Sequence, residues 1–134
     1  MFKSIDSLLT KNFEAVSLRD SAYYLSLLNL PAISQGKKLK NRSDSLKLVK
    51  PFTDAFSEMS KELRDFAGSD DVEVKYESYT SANTPYYDSK VKGRIMIQVS
   101  LLINNTFTVK LPFFVMGNEG VYTIEHPMLV MFSE

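Results

Sequence analysis

"RIMIQVSLLINNTFTVKLPFFVM", residues 94 to 116, holds two alternating apolar runs around an Asn-Asn-Thr centre. In the first run Ile95, Ile97, Val99, Leu101 and Ile103 share one parity, with Val91 upstream, against Lys92, Arg94, Gln98 and Ser100. In the second, Phe107, Val109, Leu111, Phe113 and Val115 alternate with Thr106, Thr108 and Lys110. A period of two describes strands with one buried face. A two-residue turn at Asn104-Asn105 would pair Ile103 with Thr106 and set an apolar face beside a polar one, which burial opposes. A three-residue loop, Asn104 to Thr106, instead pairs Ile103 with Phe107, Leu101 with Val109, Val99 with Leu111 and Ile97 with Phe113. Asparagine tolerates the left-handed backbone such a loop needs. The reading therefore predicts this antiparallel hairpin.

Working outward, a second hairpin is expected to turn at Met116 to Gly120 into "VYTIE", and His126-Pro127 separates it from a last apolar segment, Met128 to Phe132. Upstream, Val72, Val74 and Tyr76 alternate with Glu73, Lys75 and Glu77 as another strand, and "TSANTPYYDS", residues 80 to 89, has loop composition. Before residue 72 the period is helical. Ile5, Leu8, Leu9, Phe13 and Val16 follow Ser4, a candidate N-cap. Ser17 to Asp20 resembles a capping box opening a second helix through Leu18, Ala22, Leu25 and Leu28, which should stop before Pro31. Phe52, Ala55, Phe56, Met59, Leu63 and Phe66 trace a third stripe, with Pro51 in its first turn and Gly68 at its left-handed end. "SQGKKLKNRSDS", residues 34 to 45, reads as a flexible basic loop. "SDSLKLV", residues 43 to 49, fits either a strand or the first turns of the third helix.

The expected fold is one α+β domain over residues 1–134. Three N-terminal helical segments pack on a C-terminal antiparallel meander of four to five strands. A chain of 134 residues with 44% hydrophobic composition can bury such a core. Sixteen basic and sixteen acidic residues cancel, giving no net field to steer the molecule to nucleic acid or an anionic membrane. The first 67 residues hold eleven basic and eight acidic side chains, and the remainder five and eight. With no cysteine, disulfides and thiolate chemistry are excluded. "MFKSIDSLLTKNF" is too polar for a signal peptide and no apolar run approaches a membrane span, so a soluble, intracellular protein is expected, in host cytoplasm or virion if viral. The matches to the glycosylation sequon at Asn41 and Asn104 then carry no weight.

Catalytic patterns find no support. His126 is the only histidine, which rules out a two-histidine metal site, and no nucleophile elbow surrounds any serine that could join it and Asp54 or Asp88. Asp70, Asp71 and Glu73 lack calcium-loop spacing, and Gly36-Lys37-Lys38 lacks the rest of a phosphate-binding loop. No enzyme, metal or cofactor is expected. A basic run, Lys37, Lys38, Lys40, Arg42, Lys47 and Lys50 opposed only by Asp44, could contact phosphates, and Tyr23-Tyr24 and Tyr86-Tyr87 could stack on bases. Nucleic-acid association through residues 37 to 50 is thus the second reading. The first is protein interaction. If the odd positions of the hairpin face the helices, Met96, Leu102, Phe114 and Met116 face away, and "MLVMF" at 128 to 132 is apolar on both faces. The expected partner interface is Phe114, Met116, Met128, Val130 and Phe132, docking on another protein or a second copy. A small structural subunit of a viral particle is one kind of protein these features fit.

Phe66-Ala67-Gly68, "YESYTSANTPYYD", "KLPFFVM" and "GVYTI" together resemble the N-terminal lobe region of bacterial-type RNA polymerase beta subunits over residues 66 to 124. The chain departs from that pattern in the Ser78–Pro85 and Pro112–Gly120 spacings and in "EHPML" after the last strand. The resemblance implies a fragment of a beta-like subunit and assigns no functional residue.

Overall fold

The computed structural model describes residues 2–34, 42–81 and 93–128. Its architecture is the expected α+β arrangement, with helices preceding a four-stranded antiparallel meander that curves as a half-barrel. The strands β1 (Val74–Ser81), β2 (Arg94–Ile103), β3 (Phe107–Asn118) and β4 (Val121–Thr123) lie in that order across the sheet. The hairpin register is the predicted one, from Ile103 opposite Phe107 to Ile97 opposite Phe113. Asn104 and Asn105 both take left-handed backbone, with φ of 52° and 54°. The Asn104 side chain is a second reason for its place there, because its Oδ1 accepts the Glu73 N–H at 2.7 Å.

Two strand features differ from expectation. β1 carries a bulge between Tyr76 and Ser78, which adds a residue at Glu77 and reverses the parity, so Tyr76 and Tyr79 both pack towards the core. The second hairpin turns at Glu119-Gly120 alone, because Asn118 still pairs with Val121 and β3 runs on through Met116 and Gly117. Gly93 and Gly117 permit the close approach that lets β3 run on. A Cβ at Gly93 would stand 2.6 Å from the Gly117 carbonyl oxygen, and one at Gly117 would meet the Tyr122 ring at 3.2 Å.

Helix α1 (Ile5–Leu18) starts as predicted, with Ser4 Oγ accepting the Ser7 N–H. It buries Ile5, Leu8, Leu9, Asn12, Phe13, Ala15 and Val16, a face wide enough to meet both the sheet and other helices. Each such large apolar side chain contributes roughly 1.5–3 kcal/mol by leaving water. The helix ends at Arg19, left-handed at φ 54°, where the Asp20 N–H reaches back to the Ala15 carbonyl. The expected box opening at Ser17 is therefore corrected. Asp20 is the cap of α2 (Ser21–Ser26), its Oδ1 accepting the Tyr23 N–H, while Ser17 Oγ accepts the Val74 N–H. The predicted stripe through Leu18 and Ala22 gives way to Tyr24, fully buried and stacked on Phe56 with ring centroids 4.8 Å apart.

A single turn, α3 (Leu30–Ile33), precedes α4 (Arg42–Ala67), which packs on α1 and α2. Residues 43–49 are helical, so α4 begins nine residues before Pro51, which lies inside the helix rather than in its first turn. Of the expected stripe Phe52, Phe56, Met59 and Leu63 are buried and Ala55 is half-buried, but Phe66 in the last turn is exposed, and Gly68, at φ 69°, closes the helix. One contiguous core runs from Ile5 to Met128. Among the described residues no helix is long and apolar enough to cross a membrane.

Candidate functional site

The hairpin parity does turn Met96, Leu102 and Phe114 away from α1, yet Phe114 and Met96 are buried while standing outside the main core cluster. The Phe114 ring is covered by the His126 ring, centroids 4.6 Å apart, and by the Arg94 guanidinium at 5.5 Å from its centroid. His126 thus packs on the sheet, and its Nδ1 lies 2.7 Å from the Pro127 carbonyl oxygen. Phe114 is therefore not the open docking residue expected of it. Met128 is corrected in the same way: it turns into the main core, where Asn12 Nδ2 donates to its Sδ at 3.6 Å. Met116 is half-buried. Val130 and Phe132 lie outside the described residues, as do Lys37, Lys38 and Lys40 of the basic run and Tyr86 and Tyr87. Arg42 is the first residue of α4, and the exposed Lys50 pairs with Asp54 one turn on at 2.7 Å.

A different surface forms where α1 and α4 end and the β2–β3 hairpin turns. Arg64, in the last turn of α4, is only 8% exposed, because its guanidinium spans the gap to α1 and to the loop after Gly68. Its Nε donates to the Asp70 carbonyl at 3.1 Å, Nη1 to the Ser60 carbonyl at 3.0 Å and Nη2 to the Ser17 carbonyl at 3.5 Å. Arg19 Nη2 donates to that same Asp70 oxygen at 3.2 Å, so two guanidinium groups lie side by side on one neutral acceptor. Burial, and then the Arg19 charge, disfavour the charged form of Arg64. Around this junction stand Leu18 at 63% exposure, Phe66 at 39% and Phe107 at 37%, three of the four large apolar side chains exposed among the described residues. Phe66 and Phe107 meet edge to face with centroids 5.4 Å apart. Between Leu18, Val72 and Asn104 runs an open cleft of about 550 Å³, floored by Arg64 and edged by Asp70, Asp71 and Glu73.

At the opposite end a broader groove of about 1180 Å³ lies between Phe2, Leu27, Leu28, Met116 and Tyr122. Its shape follows from two single bridges, Phe2 with Tyr122 and Leu28 with Ile124, which bring the N-terminus and the α2–α3 connection onto β4. No group of three or more histidine, aspartate or glutamate side chains among the described residues is arranged to hold a metal ion.

Nothing in the sequence pattern marks Arg19, Arg64, Leu18 or Phe107 as parts of one surface. Arg19 and Arg64 are 45 residues apart in the chain, and only the end-to-end docking of α1 and α4 joins them. Fold and surface together define a small α+β domain with exposed apolar side chains and two neighbouring arginines at its helix-terminal end. Compared with known proteins, the chain matches no family model, no curated protein and no solved structure.

Proposed function

We propose that this chain is a non-catalytic assembly module that associates with a second copy of itself through the end bearing Leu18, Phe66 and Phe107. The observation supporting this reading is the gathering of those three exposed apolar side chains at one end of the molecule. Exposed aromatic and aliphatic residues beside arginine are the composition of interface centres. With sixteen charges of each sign there is no net repulsion to keep copies apart near neutral pH. The proposed docking surface thus moves from the C-terminal strand to the helix-terminal end.

Light scattering after size-exclusion chromatography over a hundredfold concentration range tests the proposal. The expected result is a mass that rises above 15.2 kDa with concentration and returns to the monomer value in a Leu18→Ser/Phe66→Ser variant with unchanged circular dichroism. A monomer at every concentration overturns it.

A further inference from the structure

We propose that Arg19, Lys61 and Arg64 form a binding site for the phosphate group of a small phosphorylated molecule. The site is a cleft of about 430 Å³ between the α1–α2 junction and α4, also lined by Ser21, Ser57 and Ser60 and by two carboxylates, Asp65 and Asp70. That volume is within the roughly 300–1,000 Å³ of small-molecule sites.

Charge is the first argument. Arg64 is bonded only to main-chain carbonyls, and no carboxylate among the described residues forms an ion pair with it. Arg19 has only the Asp70 carboxylate, at 4.0 Å and on a fully exposed side chain, while Lys61 has none among the described residues. Two guanidinium groups on one carbonyl oxygen repel each other, and Asp70 and Asp71 offset the burial of Arg64 only from a distance, without a direct ion pair. A bound dianion relieves both, and arginine pairs suit the planar, bidentate recognition of phosphate oxygens. The neighbouring cleft shares Arg19 and Arg64 but adds Asp71 and Glu73, so the anion is favoured on the α4 side, where Lys61 leaves the lining one positive charge in excess.

The second argument is independent of charge. Ser60 is only 8% exposed and its Oγ is closed off from solvent with no hydrogen-bond partner in the free protein. A buried hydroxyl without a partner is rare, and because Ser60 lines the cleft, a change of its χ1 rotamer would bring that hydroxyl to a ligand oxygen without breaking a hydrogen bond. Arg19 adds a third argument through its backbone. Glycine is the usual residue at the left-handed end of a helix, and an arginine there is strained. Its side chain is what distinguishes it from the better-suited residue.

The test is a titration of the whole chain with inorganic phosphate at constant ionic strength, followed by amide chemical shifts. The expected result is saturable shifts confined to residues 19–21 and 57–64, with affinity weakened about tenfold or more in Arg19→Gly and in Lys61→Ala. Ser60→Ala should also weaken binding while leaving the melting temperature of the free protein unchanged or higher, because the hydroxyl it removes has no partner there. Phenyl phosphate should bind at least as tightly as inorganic phosphate. The proposal is overturned if sodium chloride of equal ionic strength gives the same shifts, if the variants titrate like the parent protein, or if phenyl phosphate is excluded. Because none of these substitutions touches Leu18, Phe66 or Phe107, self-association can fail its own test without affecting this one.

Discussion

Glu119 occupies the left-handed region at φ 52°, followed by Gly120 at φ 80°, in the two-residue turn that joins β3 to β4. Positive φ at both central residues defines the hairpin turn for which Asn-Gly is the preferred pair, and among the described residues the Glu119 side chain forms no hydrogen bond or ion pair that offsets the strain. Glu119→Asn should therefore raise stability by about 0.5–1 kcal/mol, measured as a shift in the urea midpoint at constant slope. A lower midpoint would mean that the glutamate has a stabilising role. The comparison with Asn104-Asn105 shows what sequence could and could not convey. There the residue type announces the conformation, and the three-residue loop was readable. At Glu119 and Arg19 it does not, so composition alone spreads the second turn over Met116 to Gly120, and the apparent capping box at Ser17 masks the end of α1.

At the scale of the element, α4 contradicts the most economical reading of Pro51. Proline is free at the first turn of a helix because its missing N–H would have no partner there, which is why the stripe beginning at Phe52 suggested a start at that point. The helix in fact begins at Arg42, so the Lys47 carbonyl loses its i+4 donor and the proline ring crowds it. The first turns gave little warning, since Leu46 is exposed and only Val49 of residues 43–50 is buried. Pro51→Ala is expected to raise stability by about 1–3 kcal/mol, read from denaturant unfolding. A loss of stability would show that a proline-dependent bend is what seats Val49 and Phe52 in the core. The bulge in β1 was hidden for a related reason. A strict period of two describes Val74 to Glu77 and says nothing of an inserted residue that turns Tyr79 back to the face of Tyr76.

Across the whole molecule, parity told which side chains leave the helix-facing side of the sheet but not what covers them, because cover comes from segments distant in sequence, as His126 covers Phe114. The same is true of two tyrosines that join layers. Tyr24 is buried between α2 and α4 with its hydroxyl unpartnered, and the Tyr76 hydroxyl donates to Asp6 Oδ1 at 2.5 Å, tying β1 to α1. Burial holds the Tyr24 phenol well above its ordinary range, and burial followed by the hydrogen bond to Asp6 does the same for Tyr76. A folded-state pKa above the unfolded value, about 10 for tyrosine, means that the folded chain retains protons the unfolded chain has released. Stability is then fully present below about pH 10 and falls as the pH rises from there towards the folded-state values. Urea unfolding between pH 8 and pH 11.5 should show a plateau followed by a decline. Tyr24→Phe should shallow that decline and leave stability at pH 8 unchanged or higher by about 1 kcal/mol, since the hydroxyl it removes is buried without a partner. If the Tyr24→Phe profile parallels that of the parent protein across the whole range, the buried phenol is not what couples this fold to alkaline pH.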